Sequence, residues 1–218
     1  MKFNFHYLLS VLPPLGSAAL VNLRLAAIAI VLALVLGTAL TVLRSRKIGP
    51  VNAAIAVLIS FVRGTPLLIQ IFIFFYVLPA VGLNLSAPVA GVAALACNSM
   101  VFVSETLRAG LGTLDPGQIE AATALGLPPR VIWIKVILPQ VLRRSLPMLA
   151  NEASIVIKAT ALLSVITVVD VLRTAQQIAG ASFRPFETLF GAALMFALIN
   201  MLLSLCTRMV EKRVMLRV

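Results

Sequence analysis

The 218-residue chain is 61% apolar and only 11% charged, with a mean hydropathy of +1.08. These values exclude an ordinary soluble core and predict one integral membrane domain over residues 1–218, with its core at about 15–208. The net charge of +11 does not indicate nucleic-acid binding, because the basic residues lie at the ends of apolar runs and not among stacking aromatic side chains. Cys97 and Cys206 lie in apolar segments and form no metal or redox spacing.

The first predicted span covers about 18–43, since residues 25–42 carry no charge and are long enough to cross a bilayer core. A basic cluster at 44–47 follows at once and is typical of a cytoplasmic edge, which places the amino terminus outside. The residues before this span have one Lys and a Pro13-Pro14 break. They make a poor signal peptide, and we expect them to stay attached and lie along the outer interface.

The second and third spans come from a long uncharged run, residues 64–104. Residues 48–62 form an expected interfacial elbow before it. The Pro- and Gly-containing stretch 79–88 supplies a turn without Lys or Arg, which favours the outer face. We therefore predict a second span over about 64–78 with part of the elbow, and a third over about 88–107.

The fourth span, about 145–169, is apolar but carries Glu152 and Lys158. A polar stretch at 170–185 predicts an external helix and turn, and 188–207 is a fifth span. The predicted fold is therefore all-α with about five transmembrane helices and a cytoplasmic carboxyl terminus. By this topology Lys2, Arg173 and Arg184 are external. Thirteen basic residues are cytoplasmic: Arg44, Arg46, Lys47, Arg63, Arg108, Arg130, Lys135, Arg143, Arg144, Arg208, Lys212, Arg213 and Arg217.

An island of polar and small residues, 115–139, separates the third span from the fourth. Asp115 and Gln118 have capping-box spacing, and Pro116 occupies a first helical position. The pattern predicts a short helix over 116–125 on the cytoplasmic side.

A second short helix is expected after Gly126, which suits the left-handed residue that ends a helix. Pro128 and Pro129 would start this second helix, and Pro139 would close it. The product is a helix-turn-helix knob. The first knob helix is thin, because it carries three alanines, and Glu120 leaves one charge for a basic partner. The alanines are Ala121, Ala122 and Ala124.

Lys158 is the most informative charge, because an ionisable group within a span faces a bundle interior or an aqueous cavity. One interpretation is a contact to a substrate carboxylate at a dimer interface, and the other is a structural pair with Glu152 or another acid. Thr160 and Ser164 could satisfy backbone groups if the helix loosens there. Asn98 in the third span is a further candidate for a substrate path.

Two i, i+3 charge pairs flank the spans, Glu105 with Arg108 and Asp170 with Arg173. A surface pair contributes little, so a structural role is favoured for the first. For the second, capping and bracing of the external helix is favoured over contact with a binding protein.

The island also carries a family resemblance. Glu120-Ala121-Ala122, Gly126 and Val136-Ile137-Leu138-Pro139 resemble the EAA signature of bacterial ABC-importer permeases, with Val136 where the family has Ile. Four further segments look like the polar amino-acid branch of these permeases. They are FVRGTPLLIQ at 61–70, ETLRAG at 105–110, IKATALLSVITVVDVLRTAQQIAG at 157–180 and FRPFE at 183–187.

The resemblance implies a type I ABC-importer permease core in the inner membrane, working with a second, identical or homologous permease. Glu120, Ala121, Ala122 and Gly126 would belong to the coupling helix that docks on an ABC ATPase. ATP, Mg²⁺ and hydrolysis are expected on that separate ATPase, with no cofactor on this chain, and an external solute-binding protein would deliver an amino acid.

Several alternatives stay open. Ala159 stands where relatives often have a polar or acidic residue, which favours acidic or neutral polar amino acids, or a heterodimer whose partner carries the site. An importer of opines or other amino-acid-like solutes has the same architecture, and a membrane channel or scaffold subunit without an ATPase is a reading of another class. An enzyme is disfavoured, because the chain has neither a GxxxxGK[ST] loop nor a catalytic constellation.

Overall fold

The computed structural model describes residues 3–46 and 48–215, and within them the chain is helical without a β-strand. Lys2, Lys47 and Arg217, three of the basic residues assigned above to a side of the membrane, lie outside the described residues. The helices, with their continuations, are α1 (Phe5–Ser45), α2 (Gly49–Gly64), α3 (Leu67–Phe72, then a π-helical turn Ile73–Val77 and a 3-10 turn Leu78–Val81), α4 (Ala87–Gly112), α5 (Pro116–Ala124), α6 (Pro129–Val131, then a π-helical turn Ile132–Ile137), α7 (Leu138–Ala159, then a 3-10 segment Thr160–Ile166), α8 (Val171–Ser182) and α9 (Pro185–Met215).

Four helical segments of the described chain are long and apolar enough to cross a membrane: α1, α4, Pro129–Ile166 and the Pro185–Lys212 part of α9. The pair α2 and α3, bent by 110° at Thr65-Pro66, counts as a fifth span if it crosses as one broken unit. The prediction of an all-α membrane protein with about five spans is therefore confirmed. The polar stretch after the fourth span forms α8, as expected.

The amino-terminal segment is part of the first helix, because α1 begins at Phe5 and runs without interruption through Pro13 and Pro14. Its place along the outer interface stays a prediction. Asn4 caps it by accepting a hydrogen bond from the Tyr7 backbone N–H. Just after the prolines, Ser17 Oγ donates to the Pro14 carbonyl at 2.8 Å.

The predicted end of the second knob helix at Pro139 is also wrong. The chain stays helical from Pro129 to Ala159, and Pro139 lies inside this run, two residues after the π-helical turn. The π-helical turn just before Pro139 absorbs the change in hydrogen-bonding register. The side-chain amide of Gln140 donates to the Val136 carbonyl at 2.9 Å and reinforces the same turn. The knob is therefore continuous with the fourth span.

Close packing of α1 on α4 sets the arrangement of the bundle. One face of α1 carries small buried residues at intervals of three or four: Asn22, Ala26, Ala29, Ala33, Gly37 and Thr41. At Gly37, an added Cβ would lie 2.7 Å from the Met100 carbonyl oxygen and 2.7 Å from Val103 Cβ of α4. Small residues permit this close approach of the two backbones. In a membrane, van der Waals contact of this kind drives helix association, because lipid provides no hydrophobic effect between helices.

The larger buried side chains lie between α1, α4, the 3-10 segment and α8. Leu15, Leu95, Leu163, Ile166 and Val171 are all almost fully buried in one cluster. Much of the outer surface of α1 is instead apolar and exposed, as at Val31 and Val35. That pattern suits a bundle with lipid on its outside and a packed interior.

We predict that Gly37→Val will disrupt the α1–α4 contact, because the new side chain meets backbone and Val103 at less than contact distance. Overpacking of this kind costs about 1–3 kcal/mol or more. The measurement is thermal unfolding of the purified protein in detergent. Gly16→Val in the same helix is the matched control, since a Cβ at Gly16 has no neighbour within 4 Å. Equal unfolding temperatures for the two variants would contradict the close-packing account.

Candidate functional site

The knob helix α5 is capped at its start by Asp115, whose Oδ1 accepts from the Gly117 backbone N–H at 2.9 Å. Of the two hydrogen bonds of the predicted capping box, only the one accepted by the Asp115 side chain has a counterpart. Gln118 does not reach back to Asp115, because its Oε1 accepts from Gln140 Nε2 of α7 at 2.7 Å. A residue expected to act within α5 therefore fastens α5 to the fourth span.

The end of α5 follows the prediction. Gly126 has φ +72°, the left-handed conformation that suits glycine. The Leu127 N–H then donates to the Ala122 carbonyl at 3.2 Å.

The named alanines of α5 do not share one environment. Ala122 is buried against Leu107, Ile132, Ile137 and Val141, so it packs against its own chain instead of presenting a docking surface. Ala121 and Glu120, in contrast, are exposed.

Large apolar side chains also surround α5 at the surface, which the sequence interpretation missed. Leu125 is 79% exposed and Ile134 is 52% exposed. Ile119, Leu127 and Trp133 are exposed to lesser degrees. The sequence did contain a signal for this surface, namely large apolar residues within a mostly polar and small-residue stretch. It could not show which of them are exposed, because Ile132 in the same stretch is buried. In this single chain, apolar side chains are therefore exposed around α5.

Side-chain contacts join α4, α5 and α7 around the knob. Arg144 of α7 donates to the carbonyl of Thr113 and, at 3.1 Å, to its Oγ1. Ala122 and Gln118 hold the other side of α5, as described above. These contacts link α5 and the end of α4 to α7.

Lys158 is exposed on the surface of the single chain near the end of α7. It forms no salt bridge with any acid in the described part of the chain. The structural alternative of a pair with Glu152 is not realised, because Glu152 accepts from Ser99 Oγ of α4 at 2.6 Å. Six residues apart on a helix, the two side chains leave α7 on different faces.

The helix does loosen after Lys158, passing from α-helix to the 3-10 segment at Thr160. Thr160 Oγ1 donates to the Ile157 carbonyl at 2.6 Å, and Ser164 Oγ donates to the Ala161 carbonyl at 2.8 Å. Both hydroxyls are buried, with Thr160 fully so. The structure therefore does not bring them to one surface with the exposed Lys158.

Asn22 of α1 is the hydrogen-bond partner of Thr160. Its Nδ2 donates to Thr160 Oγ1 at 2.8 Å and to Asp170 Oδ2 at 3.2 Å, while its Oδ1 accepts from the Val171 N–H at 3.0 Å. Asp170 Oδ1 accepts from the Arg173 N–H at 2.8 Å, so this carboxylate caps α8. Burial raises the pKa of the Asp170 carboxyl, opposed by the hydrogen bonds from Arg173 and Asn22 that lower it. The network ties α1 to the start of α8.

Asn98 of α4 is hydrogen-bonded to the bend between α2 and α3. Its Nδ2 donates to Gln70 Oε1 at 3.1 Å. Gln70 Nε2 in turn donates to the Val62 carbonyl at 2.9 Å and to Thr65 Oγ1 at 3.0 Å, across the break in the span. Asn98, half-buried, is thus coupled to the one bent span, a role that the sequence did not indicate.

Glu105 of α4 lies between two arginines, Arg44 of α1 and Arg108 of α4, and the distance to Arg108 Nη2 is 2.8 Å. The cluster joins the ends of α1 and α4, in agreement with the structural role predicted for the Glu105–Arg108 pair. Within the described residues, no group of three or more His, Cys, Asp or Glu could hold a metal ion.

The chain is similar to known proteins over most of its length. Residues 29–216 match the family described as binding-protein-dependent transport system inner membrane component. A Rickettsia felis protein named for glutamine transport as a permease is 33% identical over 96% of this chain and 98% of its own length. The arginine transport system permease protein ArtQ of Bacillus subtilis is 30% identical over 98% of both chains.

Solved structures agree. A crystal structure of an amino acid ABC transporter with histidines has a chain with a TM-score of 0.89 and 32% identity, covering 98% of this chain and 100% of its own. The MetNI methionine ABC transporter, at 15% identity and a TM-score of 0.73 over 97% of this chain, shares the fold. The chain belongs to the family of inner-membrane permease components of binding-protein-dependent ABC transport systems.

Proposed function

We propose that this chain forms half of the translocation path of an amino-acid importer that is driven by ATP hydrolysis on separate ATPase subunits. The observation that carries the proposal is the likeness, over nearly the whole chain, to a solved amino acid ABC transporter. The names of relatives that transport glutamine and arginine support the same substrate class. An extracytoplasmic binding protein would deliver the amino acid, and a second permease would complete the path.

The coupling surface in this proposal is the exposed side of α5, with Glu120, Ala121 and Leu125 presented to an ATPase. Gly126 sets the direction in which the chain leaves this surface, and Ala122 fixes it from inside. Closure of the two ATPases on ATP would draw two such knobs together. Because each knob is bound to α4 and α7, that motion would tilt the spans and alternate access between the two sides.

Lys158 is the proposed contact for the substrate carboxylate. An exposed ammonium group within a span is costly in lipid, so its place in the assembly is a water-filled path or a protein interface. Asn98 and the loosened end of α7, with Thr160 and Ser164, would adjust the path indirectly, through the hydrogen bonds that they already make.

The proposed orientation has the amino terminus outside and the carboxyl terminus in the cytoplasm. It rests on the excess of Lys and Arg near α5 and at the ends of α1 and α9. In this orientation α8 is external and α5 is cytoplasmic.

We predict that Leu125→Asp will uncouple the transporter, because it places a charge in an apolar docking surface while leaving the packing of the chain unchanged. Loss of a central interface side chain costs about 2 kcal/mol or more, so substrate-stimulated ATP hydrolysis should fall at least tenfold. The measurement is ATPase activity and uptake by the reconstituted complex. Leu125→Met is the control, since it keeps the apolar volume. Normal uptake by Leu125→Asp would contradict the assignment of the coupling surface.

Glu120→Ala should weaken coupling in the same assay by a smaller factor, because one exposed ion pair contributes only up to about 1 kcal/mol. The substitution removes a side chain that makes no intrachain salt bridge within the described residues. Membrane insertion and thermal unfolding should therefore match the unmodified protein. Equal hydrolysis and transport by the variant and the parent would remove Glu120 from the coupling role.

For substrate binding, we predict that Lys158→Ala will raise the amino-acid concentration needed for half-maximal ATPase stimulation about tenfold to a hundredfold. The loss is that of one hydrogen bond to a charged group, about 1.5–3 kcal/mol. The measurement is stimulation by a panel of amino acids, presented by the binding protein. Lys212→Ala, at the far end of α9, is the matched control. Unchanged stimulation in Lys158→Ala would make Lys158 structural and move specificity to the binding protein or the second permease.

A further inference from the structure

A cavity of about 300 Å³ lies where the ends of α1 and α4 meet the start of α2. It is lined by Thr41, Arg44, Ser45, Asn52, Ser104, Arg108 and Leu111. This volume is at the lower end of the range for small-ligand sites, roughly 300–1,000 Å³. Six of its seven lining residues are polar or charged, and it lies at the carboxyl-terminal end of α4, close to the basic end of α1.

The cavity carries net positive charge. Arg44 and Arg108 share a single carboxylate, Glu105, and Arg46 follows Arg44 two residues later. One carboxylate compensates one of the two cavity arginines. Arg108 remains 58% exposed despite its salt bridge, so guanidinium N–H groups remain available to an anion.

Whereas the arginines offer donors, Asn52 contributes an acceptor that needs a donor. Its Nδ2 donates to the Arg44 carbonyl at 3.3 Å, but its Oδ1 is buried and accepts no hydrogen bond from the described part of the chain. A buried acceptor without a donor is costly and rare in native proteins. The oxygen is enclosed in the present rotamer, so a donor on an occupant reaches it only after the Asn52 side chain rotates and exchanges its Nδ2 bond to the Arg44 carbonyl for the new one.

We infer that this cavity binds the headgroup of an anionic phospholipid of the cytoplasmic leaflet, with the chemistry of phosphatidylglycerol. Its phosphodiester accepts hydrogen bonds from Arg108 and Arg44, and its glycerol hydroxyl donates to Asn52. The cavity lies at the depth of the headgroups, because Arg44 is in the last turn of α1 and Arg108 is near the end of α4. Basic pockets between helix ends on this side of a membrane suit such lipids. The assignment of the leaflet rests on the proposed orientation.

Charge separates this headgroup from a zwitterionic one. Phosphatidylethanolamine also has a phosphate and a donor, but its ammonium group would add a positive charge beside Arg44 and Arg108. The net positive lining therefore favours the headgroup with a neutral hydroxyl donor.

The experiment is native mass spectrometry of the purified transporter complex, released from membranes that contain phosphatidylglycerol, phosphatidylethanolamine and phosphatidylcholine. We expect retained phosphatidylglycerol, and about tenfold lower retention in Arg108→Gln, which removes a charged hydrogen bond. Asn52→Asp should also lower retention, because it places a carboxylate beside the phosphate. Arg143→Gln, an exposed arginine of α7 that does not line the cavity, should retain the lipid as the parent does.

Three outcomes would overturn the inference. Equal retention by all variants would place the lipid elsewhere on the surface. Increased retention of phosphatidylethanolamine by Asn52→Asp would identify an ammonium headgroup instead. Displacement of the lipid by millimolar glycerol phosphate would identify a soluble phosphate as the ligand. These readouts are masses of bound lipid, so they stand apart from the transport assays that test the proposed function.

Discussion

The close approach of α1 and α4 is the contact on which the rest of the structure depends. Lipid offers no hydrophobic drive between helices, so association needs short van der Waals distances and satisfied polar groups. The small residues from Asn22 to Thr41 provide the first. The second comes from the two ends of the same seam, where Asn22 binds Asp170 and Thr160, and Arg44 binds Glu105. One helix pair thereby holds the outer helix α8 and the proposed cytoplasmic edge in register.

Side-chain amides repair the places where the helices are irregular. Gln70 bridges the break between α2 and α3, Gln140 supports the π-helical turn before α7, and Asn22 joins the 3-10 segment to α8. Regular helix needs no such repair, since its backbone groups pair internally. A transporter that alternates between states must bend somewhere, and breaks held by single side chains deform at lower cost than intact helix. Proposed coupling and substrate residues lie beside these breaks.

Two surfaces near the carboxyl-terminal end of α4 have different chemistry. The α5 surface presents apolar side chains and one acid, which suits another protein. The cavity at Arg44, Asn52 and Arg108 is lined by two guanidinium groups and an amide, which suits the anionic headgroup proposed for it. Both lie near the end of α4, so an ATPase and a lipid would act on the same helix terminus.

Much of the fold followed from the chain alone. Uncharged runs predicted the spans because the thickness of a bilayer fixes their length, and the EAA pattern with Gly126 predicted the helix that ends in a left-handed residue. Local rules failed at prolines and polar groups whose partners are distant in sequence. Pro13 and Pro14 lie inside α1 without ending it, and Pro139 follows a π-helical turn within a continuous helical run.

The sequence by itself determined the class, the number of spans and the position of the knob, since these depend on composition and on contacts between near neighbours. Only the tertiary structure decided which side of each helix is used. Ala122 packs inward, Thr160 accepts a hydrogen bond from Asn22, and Gln118 accepts one from Gln140 of α7. Each of these partners is at least ten positions away in the sequence. Packing between distant segments carries no local signature, so no reading of neighbouring residues could have assigned these faces.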